Sequence, residues 1–239
     1  MNNRNLLLLS ASRVGSTEYL SHALPLIKEK LTGCSNVIFV PFAGVTLSYD
    51  EYTTKVNNAL SSIDVRVKGL HEFEDKQDAL TQADAVIVGG GNTFHLLAKL
   101  YEFSLIKVIK EQVDLGKLRY IGWSAGSNIA GLSIKTTNDM PIVEPESFDA
   151  IGLVKCQLNP HYTEYKPAGF NGETREQRLS EFMVLNPESH IIGLVEGSGI
   201  SVEGDTVNYV QGNDVNEPLF LFNNQNKTAV TSFPADLSI

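Results

Sequence analysis

An α/β fold, with a doubly wound, mostly parallel sheet, helices on both faces and a nucleophile elbow, is expected from three features of the chain. Short apolar runs alternate with helix-length segments, the pattern made by strands that are each followed by a covering helix. Polar or glycine-rich turns close several of the runs, as at Gly89-Gly90-Gly91-Asn92. One run, Tyr120-Ile121-Gly122-Trp123-Ser124-Ala125-Gly126, ends in Gly-x-Ser-x-Gly. In such sheets ligands bind beyond the carboxyl ends of the strands, so the turns at those ends are the places to search for chemistry.

In chain order, residues 6–9 form a fully buried strand, and Ser10-Ala11-Ser12-Arg13 is the loop at its carboxyl end. Over residues 17–31 the apolar positions Leu20, Ala23, Leu24, Ile27 and Leu31 share one helical face, and Pro25 is expected to kink that helix. Residues 37–40 make a second strand stopped by Pro41, 50–60 a helix, 65–67 a third strand, 74–82 a helix and 85–88 a fourth strand. Residues 118–121 read as a buried strand, and 125–130 as small, closely packed helical residues. A strand-like stretch precedes His161, 174–184 is helical, and 191–195 is a strand. From about residue 205 the chain reads as closing strands without a motif.

Composition bounds the function. The 239 residues are 42% apolar and 20% charged, as in a soluble globular protein, and no linker-like stretch divides them. Residues 1–239 are therefore read as a single domain. A formal charge of −9 argues against nucleic acid, which demands a basic face. Cys34 and Cys156 make no disulfide framework and point to a reducing compartment, so the cytoplasm is expected. The run at 6–9 is too short for a signal segment or a membrane span, so no membrane partner is expected. Within that compartment the Asn226-Lys227-Thr228 sequon is a chance match.

Ser124 is the candidate nucleophile, because Gly122 and Gly126 leave room for a sharp strand-to-helix crossing. A glycine-rich turn whose serine caps a helix would use the same residues. The triple glycine lacks the spacing of a dinucleotide fingerprint and the Gly-Lys-Ser/Thr ending of a phosphate loop. Its other use is an oxyanion hole, with the N–H groups of Gly91 and Ala125 as the natural pair. Serine needs a base. Of His22, His71, His95, His161 and His190, only His161 follows a strand-like stretch and precedes a polar loop, while His95, just inside the helix after Gly91-Asn92, is a second candidate to line the site. The base in turn needs a carboxylate, and both Asp139, in a polar loop, and Glu196, at a strand end, qualify. Glu196 is favoured as the orienting group because a strand end is rigid, with Asp139 nearer the substrate.

Taken together, the motifs resemble peptidase E, the aspartyl dipeptidases, whose fold is similar to that of class I glutamine amidotransferases. The resemblance is carried by Pro41-Phe42-Ala43-Gly44-Val45-Thr46, Val88-Gly89-Gly90-Gly91-Asn92-Thr93-Phe94, Ile121-Gly122-Trp123-Ser124-Ala125-Gly126, Thr136-Thr137-Asn138-Asp139-Met140-Pro141-Ile142-Val143, Asn159-Pro160-His161 and Gly172-Glu173-Thr174-Arg175-Glu176-Gln177-Arg178. It implies cofactor-free, metal-free hydrolysis of small-molecule substrates, dipeptides with an N-terminal aspartate. Ser124 matches the family nucleophile and His161 its base, while Asp139 and Glu196 both match described third members. Asn92, Thr93, Asp139 and Arg175 are the expected substrate contacts. An aspartyl terminus presents an ammonium beside a carboxylate, so its pocket needs one partner of each sign, which Asp139 and Arg175 would supply. Arg175 would otherwise be an ordinary solvated helix-surface arginine. An esterase or other acyl hydrolase built on the same elbow, and a non-catalytic binder of aspartyl ligands, are the competing expectations. An amidotransferase would want a cysteine in place of Ser124.

Overall fold

In the computed structural model, which describes residues 3–213, 215–224 and 226–233, strands of four or five consecutive apolar residues are buried on both faces. The chain runs β1 (Asn5–Leu9), α1 (Leu24–Lys30), β2 (Val37–Val40), α2 (Tyr49–Leu60), β3 (Lys68–Gly69), α3 (Lys76–Thr81), β4 (Ala85–Val88), α4 (Thr93–Glu102), α5 (Leu105–Asp114), β5 (Arg119–Trp123), α6 (Ala125–Asn128), β6 (Gln157–Tyr162), α7 (Arg175–Leu185), β7 (Ile191–Val195), β8 (Ser198–Glu203), β9 (Thr206–Gln211), β10 (Leu219–Asn223) and β11 (Asn226–Val230).

Seven strands form one sheet in the order β3-β2-β4-β5-β1-β8-β9. The first five are mutually parallel, and β8 and β9 add an antiparallel edge. Side chains alternate between its two faces with the two-residue period of a strand. Leu6, Leu8, Ile38, Val40, Val86 and Val88 enter one core, covered by α3, α4 and α5 through residues such as Leu80, Leu96 and Ile109. Leu7, Leu9, Val37, Phe39, Ala85 and Ile87 enter the other, covered by α1 and α2 through Ile27, Val56 and Leu60. This is the doubly wound arrangement expected for parallel strands with apolar residues throughout.

The remaining strands make a second sheet, β11-β10-β7-β6, rather than extending the first. Leu158, Ile192, Leu194 and Leu219 on one of its faces join the first core. On its other face Tyr162, Ile191, Phe220 and Phe222 pack against Leu179 and Met183 of α7. The chain beyond residue 205 supplies β9 to the first sheet and β10 and β11 to the second.

Several local expectations are corrected. The helix expected over 17–31 begins only at Leu24, after a 3-10 turn at Ser21–Ala23, because buried Leu20 takes a left-handed φ of 60°. Pro25 sits in the first turn of α1, where its missing N–H costs nothing, and so starts the helix instead of kinking it. The third strand is Lys68–Gly69, not 65–67. The Asn57 side chain takes the place of a strand partner for Val67, accepting its N–H at 2.8 Å and donating to its carbonyl at 3.0 Å. α3 is shorter than 74–82 because Asp75 caps it, accepting from the N–H groups of Gln77 and Asp78. α6 keeps four residues of the expected 125–130. Among the described residues no helix is long and apolar enough to cross a membrane.

Candidate active site

β1, β4 and β5 lie side by side, with Leu9 opposite Trp123 and Val88 opposite Gly122, so their carboxyl ends open at one place. Ser124 follows β5 with φ 53° and ψ −118°, a conformation L residues rarely adopt. Its N–H donates to the Ser10 carbonyl at 3.1 Å, and its carbonyl accepts from Ser127 and Asn128. The crossing is tight. A methyl group on Gly122 would meet the Gly126 carbonyl at 2.5 Å, and one on Gly126 would collide with the Val88 carbonyl. Ser127 locks the turn by donating to Leu9 and Gly122 carbonyls, at 2.7 and 2.9 Å. Because α6 has only four residues, the local donors are individual N–H groups more than a helix macrodipole.

His161 arrives from the second sheet. β6 pairs in parallel with β7, and the register shifts between Pro160 and Tyr162, leaving His161 on a bulge with φ 56°. A bulge re-aims one side chain without disturbing the rest of a strand. The ring sits between two partners, with Nε2 2.9 Å from Ser124 Oγ and Nδ1 2.7 Å from Glu196 Oε1. A carboxylate only accepts, so Nδ1 carries the proton and Nε2 faces the hydroxyl with its lone pair. Glu196 comes straight off the end of β7, in a turn where Gly197 has φ 88°. Ser10, fully buried, joins the two sheets: it accepts the His161 N–H at 2.9 Å and donates to the Leu194 carbonyl at 2.7 Å.

The other expected residues fall in two groups. Gly91, with φ 139°, lies too close to the Ala43 carbonyl to carry a side chain, and lines the same cavity as Ser124. Neither the Gly91 nor the Ala125 N–H donates to a backbone carbonyl among the described residues. Asp139 does not touch His161. Its Oδ2 accepts from the Thr93 N–H at 2.7 Å and the Thr93 hydroxyl at 2.5 Å, at the start of α4. Asn92 caps α4 through the His95 N–H and donates to the Met140 carbonyl, fastening the 136–141 loop alongside. Arg175 is the first residue of α7, half-buried, and makes no ion pair among the described residues. Burial, then Arg178, lower its pKa, and the charge of Asp139 opposes them, so the two lie within electrostatic reach.

Ser124 and His161 open on a cavity of about 480 Å³, bounded also by Gly91, Asn92, Trp123 and Tyr52. Lys55 is its one lysine or arginine, and no aspartate or glutamate lines it. Tyr52 donates to the Gly90 carbonyl at 2.9 Å and so fixes the peptide whose N–H belongs to Gly91. The sequence reading placed Ser10 at a strand end without giving it a role, and missed Tyr52. Ser10 has a signal, its place at the carboxyl end of a buried strand, whereas nothing local distinguishes Tyr52 from a core aromatic. His95 Nδ1 donates to the Phe42 carbonyl, 2.6 Å away, and does not line the cavity.

Known proteins are similar to this chain over nearly its full length. The sequence model of peptidase family S51 matches residues 6–210. Peptidase E of Shewanella baltica (strain OS195) is 50% identical over 234 residues, covering 98% of this chain and 96% of that protein. Peptidase E of Shewanella amazonensis is 55% identical over 199 residues, 83% of this chain and 84% of that one. Among solved structures, a candidate peptidase E protein from Listeria monocytogenes EGD-e superposes with a TM-score of 0.63 at 27% identity, covering 87% of this chain and 98% of its own. A peptidase from an acI-B1 actinobacterium shares the fold, with a TM-score of 0.71 at 15% identity over 100% of this chain and 97% of that one.

Proposed function

The chain belongs to peptidase family S51, and from that premise we propose how its residues divide the work of hydrolysing dipeptides with an N-terminal aspartate. It is a serine-type dipeptidase. Ser124 is the nucleophile, His161 the general base and Glu196 the orienting acid. The observation that carries this assignment is the single imidazole held between hydroxyl and carboxylate at 2.9 and 2.7 Å. His161 takes the Ser124 proton as Oγ attacks the aspartyl carbonyl, and Glu196 stabilises the imidazolium that forms. The Gly91 and Ala125 N–H groups receive the oxyanion. His161 then protonates the departing amine, and a water molecule repeats the sequence to release aspartate from the acyl-enzyme.

Substrate selection falls to Asp139, Arg175, Asn92 and Thr93. One oxygen of Asp139 is taken by Thr93, which leaves Oδ1 for the substrate ammonium. Arg175, free of ion pairs among the described residues, meets the side-chain carboxylate with its planar fork. The net negative charge of the protein makes a local cation necessary for an acidic substrate, and Lys55 in the cavity wall adds to Arg175, which does not line it. Cytoplasmic action fits the two free cysteines, Cys34 and Cys156.

Matched Asp-X, Glu-X, Asn-X and Ala-X dipeptides test the reading, with Ser124→Ala as control. Asp-X is expected to be cleaved fastest, Ser124→Ala to be inactive, and Arg175→Ala to lose the preference for Asp-X over Ala-X by about a hundredfold. Turnover by Ser124→Ala would remove the nucleophile, and an unchanged preference in Arg175→Ala would remove that residue from the pocket.

A further inference from the structure

Lys227 lies on β11, beyond residues 6–210 that the family model matches. Its ammonium joins two carboxylates from distant parts of the chain. Glu164 Oε1, three residues after His161, is 2.5 Å away, and Glu176 Oε2, next to Arg175, makes the second contact. Nζ also lies 5.4 Å from the centre of the Phe220 ring, which packs on Tyr162, the neighbour of His161, at 4.8 Å between centroids. The Lys227 side chain is 23% exposed, so this is a partly shielded three-charge network and not an isolated surface pair. Its two carboxylates raise the lysine pKa further above its ordinary value, which keeps it charged throughout the neutral range.

The surroundings show what the network holds. Residues 163–173 are exposed, and among the described residues their hydrogen bonds apart from Glu164–Lys227 are local, such as Tyr165 N–H to Thr163 Oγ1 and Phe170 N–H to the Pro167 carbonyl. The first turn of α7 is capped by its own residues, Thr174 with Gln177, and Arg178 pairs with Glu173. The first buried side chain of α7 is Leu179, a turn later. The Lys227–Glu176 contact is therefore the polar tie, among the described residues, between the turn that carries Arg175 and the sheet that carries His161.

From this juxtaposition we infer that Lys227 is a positioning residue for substrate discrimination. By bridging Glu164 and Glu176 it holds the first turn of α7 at a set distance from His161, so that Arg175 meets the substrate carboxylate while the scissile carbonyl rests on Ser124. It also occupies Glu176, the nearest carboxylate in sequence to Arg175. The inference rests on the role proposed above for Arg175.

The test compares kcat and KM for Asp-Leu and Ala-Leu in the wild type, Lys227→Ala, Lys227→Arg, Glu176→Gln and Arg175→Ala. The ratio of the two kcat/KM values is read within each variant, so any loss of folded enzyme divides out. Lys227→Ala and Glu176→Gln are expected to lower that ratio by about tenfold, chiefly through a higher KM for Asp-Leu, and Lys227→Arg to restore most of it. If Lys227→Ala yields no soluble protein, Glu176→Gln carries the same expectation. A ratio within about twofold of wild type in both Lys227→Ala and Glu176→Gln, while Arg175→Ala loses it, overturns the inference alone. An Arg175→Ala enzyme that keeps the ratio overturns the inference together with the reading of Arg175.

Discussion

Ser124 and His161 hold φ of 53° and 56°, two non-glycine residues in a region where L side chains are crowded. Each such conformation costs about 1–3 kcal/mol and persists only where the surroundings determine it. Here those surroundings are visible, since Ser10 bonds to both residues, through its carbonyl and its hydroxyl. The two candidate acids part at this scale. Glu196 touches the ring, whereas Asp139 is committed to Thr93. Glu196→Gln is therefore expected to lower kcat for Asp-X by about a hundredfold or more, because an amide can stabilise the wrong imidazole tautomer. Asp139→Asn should act mainly on KM. Steady-state kinetics of the two variants decides, and the opposite pattern would exchange their roles. The sequence favoured Glu196 without deciding, because an acid in a polar loop and one at a strand end both lie at plausible distances along the chain, and only the parallel pairing of β6 with β7 brings Glu196 to His161.

At the scale of elements, the strands were the most legible part. Residues 37–40 and 85–88 were read with the bounds β2 and β4 take, since four apolar residues closed by proline or glycine leave little choice. The approach to α1 was misread because helical periodicity at Leu20, Ala23, Leu24 and Ile27 also fits a left-handed turn followed by a short helix. That turn carries His22, 4% exposed, whose pKa burial lowers, partly opposed by the charge of Glu196. The folded state therefore binds this proton more weakly than the unfolded chain does. His22 lowers stability as the pH falls below the ordinary histidine value of 6.5, and costs nothing above it. Thermal unfolding of His22→Gln is expected to show a flatter dependence of Tm on pH between 6.5 and about 5 than the wild type. An equal slope in both proteins would mean that another group governs this range.

For the whole molecule, the division into two sheets is what local sequence could not convey. Residues 191–195 and the closing stretch after about 205 read as ordinary strands, and nothing in their own pattern says that 191–195 pairs with β6 and β10 instead of extending the larger sheet. The order of the motifs along the chain nevertheless carried the family, because Ser124 and His161 remain recognisable whichever sheet holds them. The division has a functional consequence. Ser124 stands on one sheet and His161 and Glu196 on the other, with Ser10 between them, so the proposed reactive geometry depends on how the two sheets meet.

The central claim is that Ser124 Oγ attacks an aspartyl carbonyl with His161 as its base. An aspartyl diaryl phosphonate ester is the sharpest probe, since it leaves ordinary hydroxyls unmodified but phosphonylates an activated serine with loss of a phenol, and peptide mass mapping locates the adduct. One adduct is expected, on Ser124, formed rapidly in the wild type and at least about a hundredfold more slowly in His161→Ala. An adduct on a different residue, or equal rates in the two proteins, would contradict it.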